Sequence, residues 1–147
     1  MRQALLFISL ILAGIAAAAQ SRYNVLFIAV DGLRPSALGC YGNTFSKTPN
    51  IDRLARRSVI FTNAFTQEAS CAPSRASLMT GLRPDTLQIK SGNVHFRSVV
   101  PDVITLPQLF KQNGYHTQAF GLVYHAHPAQ PDDRSWTKPE QLLDIPK

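Results

Sequence analysis

Cysteine is scarce in this chain: Cys40 and Cys71 are its only two in 147 residues. So few excludes a small module framed by several disulfides, although an oxidising compartment would permit a single Cys40–Cys71 bridge. No Asn-x-Ser/Thr sequon occurs, so nothing in the sequence marks an N-glycosylation site. Dense basic runs are missing as well. Lys and Arg number 15 against 9 Asp and Glu, for a net charge of +6, but Arg56-Arg57 is the one adjacent basic pair in a spread-out set. That pattern excludes a stripe of the kind that tracks a nucleic-acid backbone, while a mildly basic surface suits a small anionic substrate. No internal repeat is found, which excludes solenoids and propellers.

A long apolar run is also absent. Ala4 to Ile15 is almost wholly apolar, but it falls short of the about 20 residues a membrane-spanning helix needs. Arg2 precedes it, and the small residues Ala17-Ala18-Ala19 follow it before Gln20. Together these predict a secretory signal peptide over residues 1–19, with no stable membrane anchor after cleavage. Its removal takes away only Arg2 among the charged residues and lowers the net charge to +5. What remains fits one domain by length, and 45% hydrophobic content is enough to build a core.

Short apolar runs alternate with helical patterns. Tyr23 to Val30 (YNVLFIAV) predicts a parallel strand covered on both faces, ending at Asp31. In open α/β sheets, ligands gather at the carboxyl ends of strands, so an acid placed there is well sited for chemistry. Thr48-Pro49 opens a helix with Ile51, Leu54 and Ala55 at helical spacing, and Val59 to Phe61 predicts the next strand. A further helix is predicted from about Leu106 to Asn113, with Pro107 near its start and Gly114 as its stop. Tyr115 to Phe120 then reads as another strand. The alternation predicts an α/β fold rather than a sandwich or a bundle. Residues His125 to Lys147, with four prolines and little periodicity, read as loop.

The most informative stretch is Cys71-Ala72-Pro73-Ser74-Arg75-Ala76-Ser77-Leu78-Met79-Thr80-Gly81. Pro73 favours a helix's first turn, Leu78 and Met79 give an apolar side, and Gly81 is a good stop, so Cys71 is predicted at a helix N-terminus. Backbone N–H groups and the positive end of the dipole attract an anion such as a sulfate ester to that end. Arg75, one turn on, adds a planar fork that can hold anionic oxygens or a nucleophile through more than one hydrogen bond. The plain alternative is that Cys71 is an ordinary half-cystine or buried thiol.

Cys-x-Pro-Ser-Arg followed by Leu-Met-Thr-Gly resembles the signature of the type I sulfatases, formylglycine-dependent members of the alkaline phosphatase superfamily. The resemblance implies an α/β fold, the N-terminal part of an alkaline-phosphatase-like sandwich with a mostly parallel central sheet. It also implies that Cys71 is oxidised to formylglycine before folding by a formylglycine-generating enzyme, which reads Pro73 and Arg75. The aldehyde hydrate then attacks sulfur and later expels sulfate, with Arg75 steadying the hydrate. Ca²⁺ is the implied metal, held by Asp31 at the end of the first strand and by the modified Cys71. Leu33-Arg34-Pro35-Ser36, Gly39-Cys40-Tyr41-Gly42, Thr48-Pro49-Asn50-Ile51-Asp52 and Arg83-Pro84-Asp85-Thr86 are similar to the iduronate-2-sulfatase subgroup, over about residues 23 to 127. That subgroup acts on 2-O-sulfated uronates of glycosaminoglycans. His125 falls where it has Gly-Lys-x-x-His, matching a histidine that touches the sulfate or the leaving group.

Two positions depart from the pattern. Gly32 replaces the second of two aspartates, and Leu122 replaces the lysine. Asp31-Gly32 also matches phosphodiesterases of the same superfamily, which use a threonine nucleophile, and taken alone it is an ordinary turn. His125-x-His127 invites zinc, but two histidines without further ligands make a poor zinc site. His95 and His116 match no motif and are assigned structural roles. The expected organisation is a signal peptide over 1–19 and the N-terminal portion of a sulfatase catalytic domain over 20–147. The remaining calcium ligands are expected downstream, so this chain alone is expected to be catalytically incomplete. The expected partners are a sulfated glycan and the maturation enzyme, in the lysosome or extracellular space, or the periplasm of a bacterium. A non-catalytic sulfatase-like protein and a phosphodiesterase stand as the alternative functions.

Overall fold

A computed structural model describes residues 22–90, 94–124, 131–139 and 141, so the signal-peptide stretch and His125 lie outside the described residues. The chain divides into two units, residues 1–32 and 33–147. In the first unit, residues 22–30 form no assigned strand, and the turn at Asp31-Gly32 has Gly32 at φ +66°. Tyr23, Leu26 and Ile28 are solvent-exposed. Among the described residues the predicted strand over Tyr23–Val30 is not seen: a strand exists through its ladder, and no described residue supplies one.

The second unit is helical. Its elements are α1 (Pro49–Ala55), α2 (Cys71–Thr80), α3 (Pro84–Leu87), α4 (Phe96–Val99) and α5 (Leu106–Gln112), preceded by 3-10 turns at Pro35–Ala37 and Gly39–Tyr41. Proline stands at the start of α1, α3 and α5, where its missing N–H costs nothing. Thr105 caps α5 by accepting from the Gln108 N–H. Among the described residues, Val59 to Phe61 is irregular rather than extended into a ladder, and Tyr115 to Phe120 forms an isolated parallel bridge between Phe120 and Gln141. Thr137 N donates to Thr117 O, and Gln141 N to Ala119 O. These bonds hold the 117–120 stretch against residues 137 and 141. Among the described residues, the central sheet of the expected fold is not seen.

The core is built around α2. Ala72, Ala76 and Met79 are buried together with Leu87, Ile89, Phe96, Ala119, Tyr124 and Trp136. Spacings of four and three place 72, 76 and 79 on one stripe of the helix. Leu78, expected to share the apolar side with Met79, sits about 100° around the helix and is 51% exposed. The closest packing of α2 is against α3 and α5. Ile51 and Leu54, at helical spacing on α1, are exposed, as are Leu106 and Leu109 of α5 and the loop residues Phe45 and Phe65.

Before α1, Asp52 Oδ1 accepts from the Cys40 N–H at 2.8 Å, and Thr48 Oγ1 accepts from the Gly39 N–H at 2.9 Å. Thr48 donates in turn to Asp52 at 3.1 Å. The Thr-Pro-Asn-Ile-Asp run thus ties its helix to the 3-10 turn before it.

Candidate active site

Cys71 is the first residue of α2, exposed and present as a free thiol, as is Cys40, so the two are not bridged. Ser70 takes the N-cap position in extended backbone without a side-chain cap bond, and Pro73 has no N–H to offer. The positive end of the helix therefore lies beside the Cys71 side chain. Gly81 closes α2 in the left-handed region (φ +71°), its N–H donating to Ser77 O at 2.8 Å. Both ends of the predicted helix, and Cys71 at its start, stand where the sequence puts them.

The first turn is pinned from outside. Ser74 Oγ and Thr66 Oγ1 lie 2.6 Å apart, and Thr66 donates to the Glu68 carbonyl, so Ser74 is the donor of the pair. This fixes the loop before Cys71 against α2. Arg75, half-buried one turn beyond Cys71, sends Nη1 to the carbonyl of Leu122, with a longer contact of 3.4 Å to that of Val123. The structure thus joins Cys71, Arg75 and the 122–123 backbone in one unit. His125 falls just beyond the described part of that segment, and Asp31 belongs to the other unit.

Reading the sequence missed the support behind this segment. Arg97 of α4 donates from Nε to Asp132 Oδ1 and from Nη2 to Asp132 Oδ2 (2.8 Å). It also reaches Gln108 Oε1 and the carbonyls of Pro101 and Val103. Asp132 is almost fully buried, and Ser135, which donates to it, is completely so. The Arg97 and Ser135 hydrogen bonds hold the Asp132 carboxyl below its ordinary value against burial, which pulls the other way. Asp132 in return raises Arg97. Ser135 Oγ also meets Thr105 Oγ1 and Tyr124 Oη, the latter at 2.7 Å. One signal pointed here: Trp136, the chain's single tryptophan, inside a stretch otherwise read as loop.

His95 supports α4 rather than a site. Its Nδ1 accepts from the Arg97 N–H, and its ring stacks on Phe96. Burial lowers its pKa, Asp132 opposes that, and Arg97 adds to it. His116 is exposed.

As a calcium ligand Asp31 is a suitable hard oxygen donor in a turn, but Ca²⁺ takes about six to eight oxygens. No group of three or more His, Cys, Asp or Glu that could hold a metal occurs among the described residues. Asp31 fits as one ligand of a larger set, not as a site.

The sulfatase family model matches residues 23–133, a span that contains the α2 helix and its Arg75 anchor. The chain belongs to the sulfatase family. It is similar to human iduronate 2-sulfatase, at 53% identity over 102 residues that make up 69% of this chain and 18% of that protein. A sulfatase of Formosa agariphila is 42% identical over 110 residues, 69% of this chain and 21% of its own length. Human N-sulphoglucosamine sulphohydrolase is 42% identical over 105 residues, 70% and 20% respectively. The chain thus spans about a fifth of the length of the curated relatives it matches.

Proposed function

We propose that the whole protein hydrolyses sulfate esters, with 2-O-sulfated uronates of glycosaminoglycans as the substrate class, through a formylglycine made from Cys71. The supporting observation is the exposed Cys71 at the start of a ten-residue helix, with Arg75 one turn on and anchored by backbone, in a chain of the sulfatase family. Once oxidised, residue 71 supplies a hydrated aldehyde whose oxygen attacks sulfur and whose second hydroxyl lets sulfate leave as the aldehyde reforms.

The protein's part is electrostatic. An oxygen nucleophile approaching an anion needs positive charge already in place, and such preorganisation supplies much of the rate gain. The start of α2 and Arg75 provide it, and His125 donates the proton that the departing sugar oxygen needs. Asp31 would contribute one carboxylate to a calcium ion, which needs several further oxygen ligands. Gly32 in place of a second aspartate makes that site weaker than in relatives with the pair. The proposed setting is the secretory pathway, ending in the lysosome, extracellular space or periplasm, with a formylglycine-generating enzyme acting during maturation.

The test is turnover by the full-length protein, made with the maturation enzyme, of an aryl sulfate and a 2-O-sulfated uronate disaccharide. Wild type hydrolyses both and Cys71→Ala neither. A formylglycine-bearing protein that binds the disaccharide without cleaving it establishes the non-catalytic reading instead. Asp31-Gly32 favours a second reading, phosphodiester hydrolysis, which the same protein reveals if it cleaves an aryl phosphodiester in preference to the sulfate.

A further inference from the structure

The carbonyls that hold Arg75 belong to a short segment, and the next residue in that segment, Tyr124, is buried. Its ring tilts against Phe96 at 5.2 Å and Trp136 at 6.3 Å, while its hydroxyl lies 2.7 Å from Ser135 Oγ. The protons in this cluster can be assigned. A serine hydroxyl has one proton to give and two lone pairs to accept with. Ser135 gives its proton to Asp132 Oδ2, so the hydroxyls of Tyr124 and Thr105 are the donors to Ser135. Asp132 is itself fixed by two bonds from Arg97, whose other donors reach Gln108 and two loop carbonyls. A continuous run of directed bonds therefore leads from the Arg97–Asp132 pair through Ser135 to Tyr124. The backbone just before Tyr124 ends that run on the Arg75 guanidinium.

We propose that Tyr124 is a positioning residue for Arg75: its hydroxyl, anchored on Ser135, sets the Leu122 and Val123 carbonyls that hold the guanidinium one turn from Cys71. A ring without the hydroxyl keeps the apolar contacts but loses the directed bond to Ser135 that helps to fix the segment's position. A guanidinium is a fork with fixed donor directions, so a small shift of the carbonyls re-aims it. Displacements of this size, away from the reacting atoms, are known to cost large factors in rate.

The inference rests on the sulfatase reading, and the test separates the two. Tyr124→Phe is made in the full-length protein, in wild-type and Arg75→Ala backgrounds. The variants with Arg75 intact are matured and assayed on an aryl sulfate; Arg75→Ala removes a residue that the maturation enzyme reads, so that background is compared by binding alone. For this, both backgrounds are produced without the maturation enzyme, so that residue 71 remains a thiol, and titrated calorimetrically with inorganic sulfate. With Arg75 intact, Tyr124→Phe lowers kcat about tenfold with KM changed less than about twofold, and it weakens sulfate binding several-fold. In the Arg75→Ala background it leaves sulfate binding unchanged. Equal factors in sulfate binding in the two backgrounds overturn the proposal, because a merely structural tyrosine acts regardless of Arg75. If Tyr124→Phe does not fold, Ser135→Ala removes the same bond from the other side and is judged by the same comparison. Wild type that shows no sulfate-ester turnover overturns the sulfatase reading, while the binding titration still decides the role of Tyr124.

Discussion

Arg75 Nη1 donates to the main-chain carbonyl of Leu122, 47 positions further along the chain. The backbone of residue 122 makes this contact, so the side chain there is at liberty to change. Leu122 stands where the iduronate-2-sulfatase subgroup has lysine, and it is only partly buried. Leu122→Lys is therefore expected to leave the Arg75 anchor intact and to add a cation near the anion's place. Turnover of a sulfate ester by the full-length protein should rise, with stability changed by no more than about 0.5 kcal/mol. Steady-state kinetics beside a thermal melt checks both halves.

Maturation gives a second expectation. Cys71 should be found as an aldehyde when a competent host makes the protein, read by mass spectrometry of the peptide that carries it. Thiol alone, or a Cys40–Cys71 disulfide, in the presence of the modifying enzyme would sink the formylglycine assignment.

Asp132 is buried with its charge matched by Arg97 and its second oxygen by Ser135. Removing one partner leaves the other charge without compensation. Arg97→Ala should cost roughly 3 kcal/mol or more, measured by denaturant unfolding. Substituting both members by apolar residues should cost less than this single change.

Two groups make stability fall in acid, in sequence. Folded His95 has a pKa below 6.5, so the unfolded chain binds the extra proton first. Its contribution is complete above pH 6.5 and is lost as pH drops toward the folded value. Asp132 is held below 3.8, so its contribution is complete above that pH and disappears as pH falls through its lower folded value. Melting temperatures between pH 8 and pH 3 should decline in two steps. His95→Gln, which keeps an acceptor but does not titrate, should erase the upper one.

Gly39 offers a test of the Thr48–Asp52 tie. A Cβ at residue 39 would lie 2.7 Å from Asp52 Oδ2, the carboxylate that holds the Cys40 N–H. Gly39→Ala should destabilise the protein by about 2 kcal/mol, as overpacking against a fixed group does. Gly42→Ala, whose added carbon meets nothing, reports only the strain of its φ of +95°.

The helices were legible because their signals are local. Proline at the first positions and Gly81 as a stop act within one or two turns, and α1, α2 and α5 begin where the prolines place them, although Thr48 makes no side-chain cap bond to α1. Strands depend on distant partners, and the apolar run at Tyr23–Val30 carries no statement about what pairs with it. The same difference runs through the site. Cys71 and Arg75 share one helix and could be read together, whereas Asp132 and Ser135 acquire their meaning only from Arg97, 35 residues earlier in the case of Asp132. Four prolines made that region look like exposed loop, yet Asp132 and Ser135 within it are buried, each with a directed partner.

Pro73 lies among the most deeply buried side chains of the molecule, two residues from an exposed Cys71. Under the proposed maturation, an enzyme that must read the proline to oxidise the cysteine could not do so once α2 has docked. The folded state would then act as a deadline: the fraction of chains that become active would be set by two competing rates, oxidation of the open chain against burial of its recognition residue. Mutations that slow docking of α2 without preventing it would leave more time for oxidation. They would raise the active fraction while lowering stability, so yield and robustness would move in opposite directions.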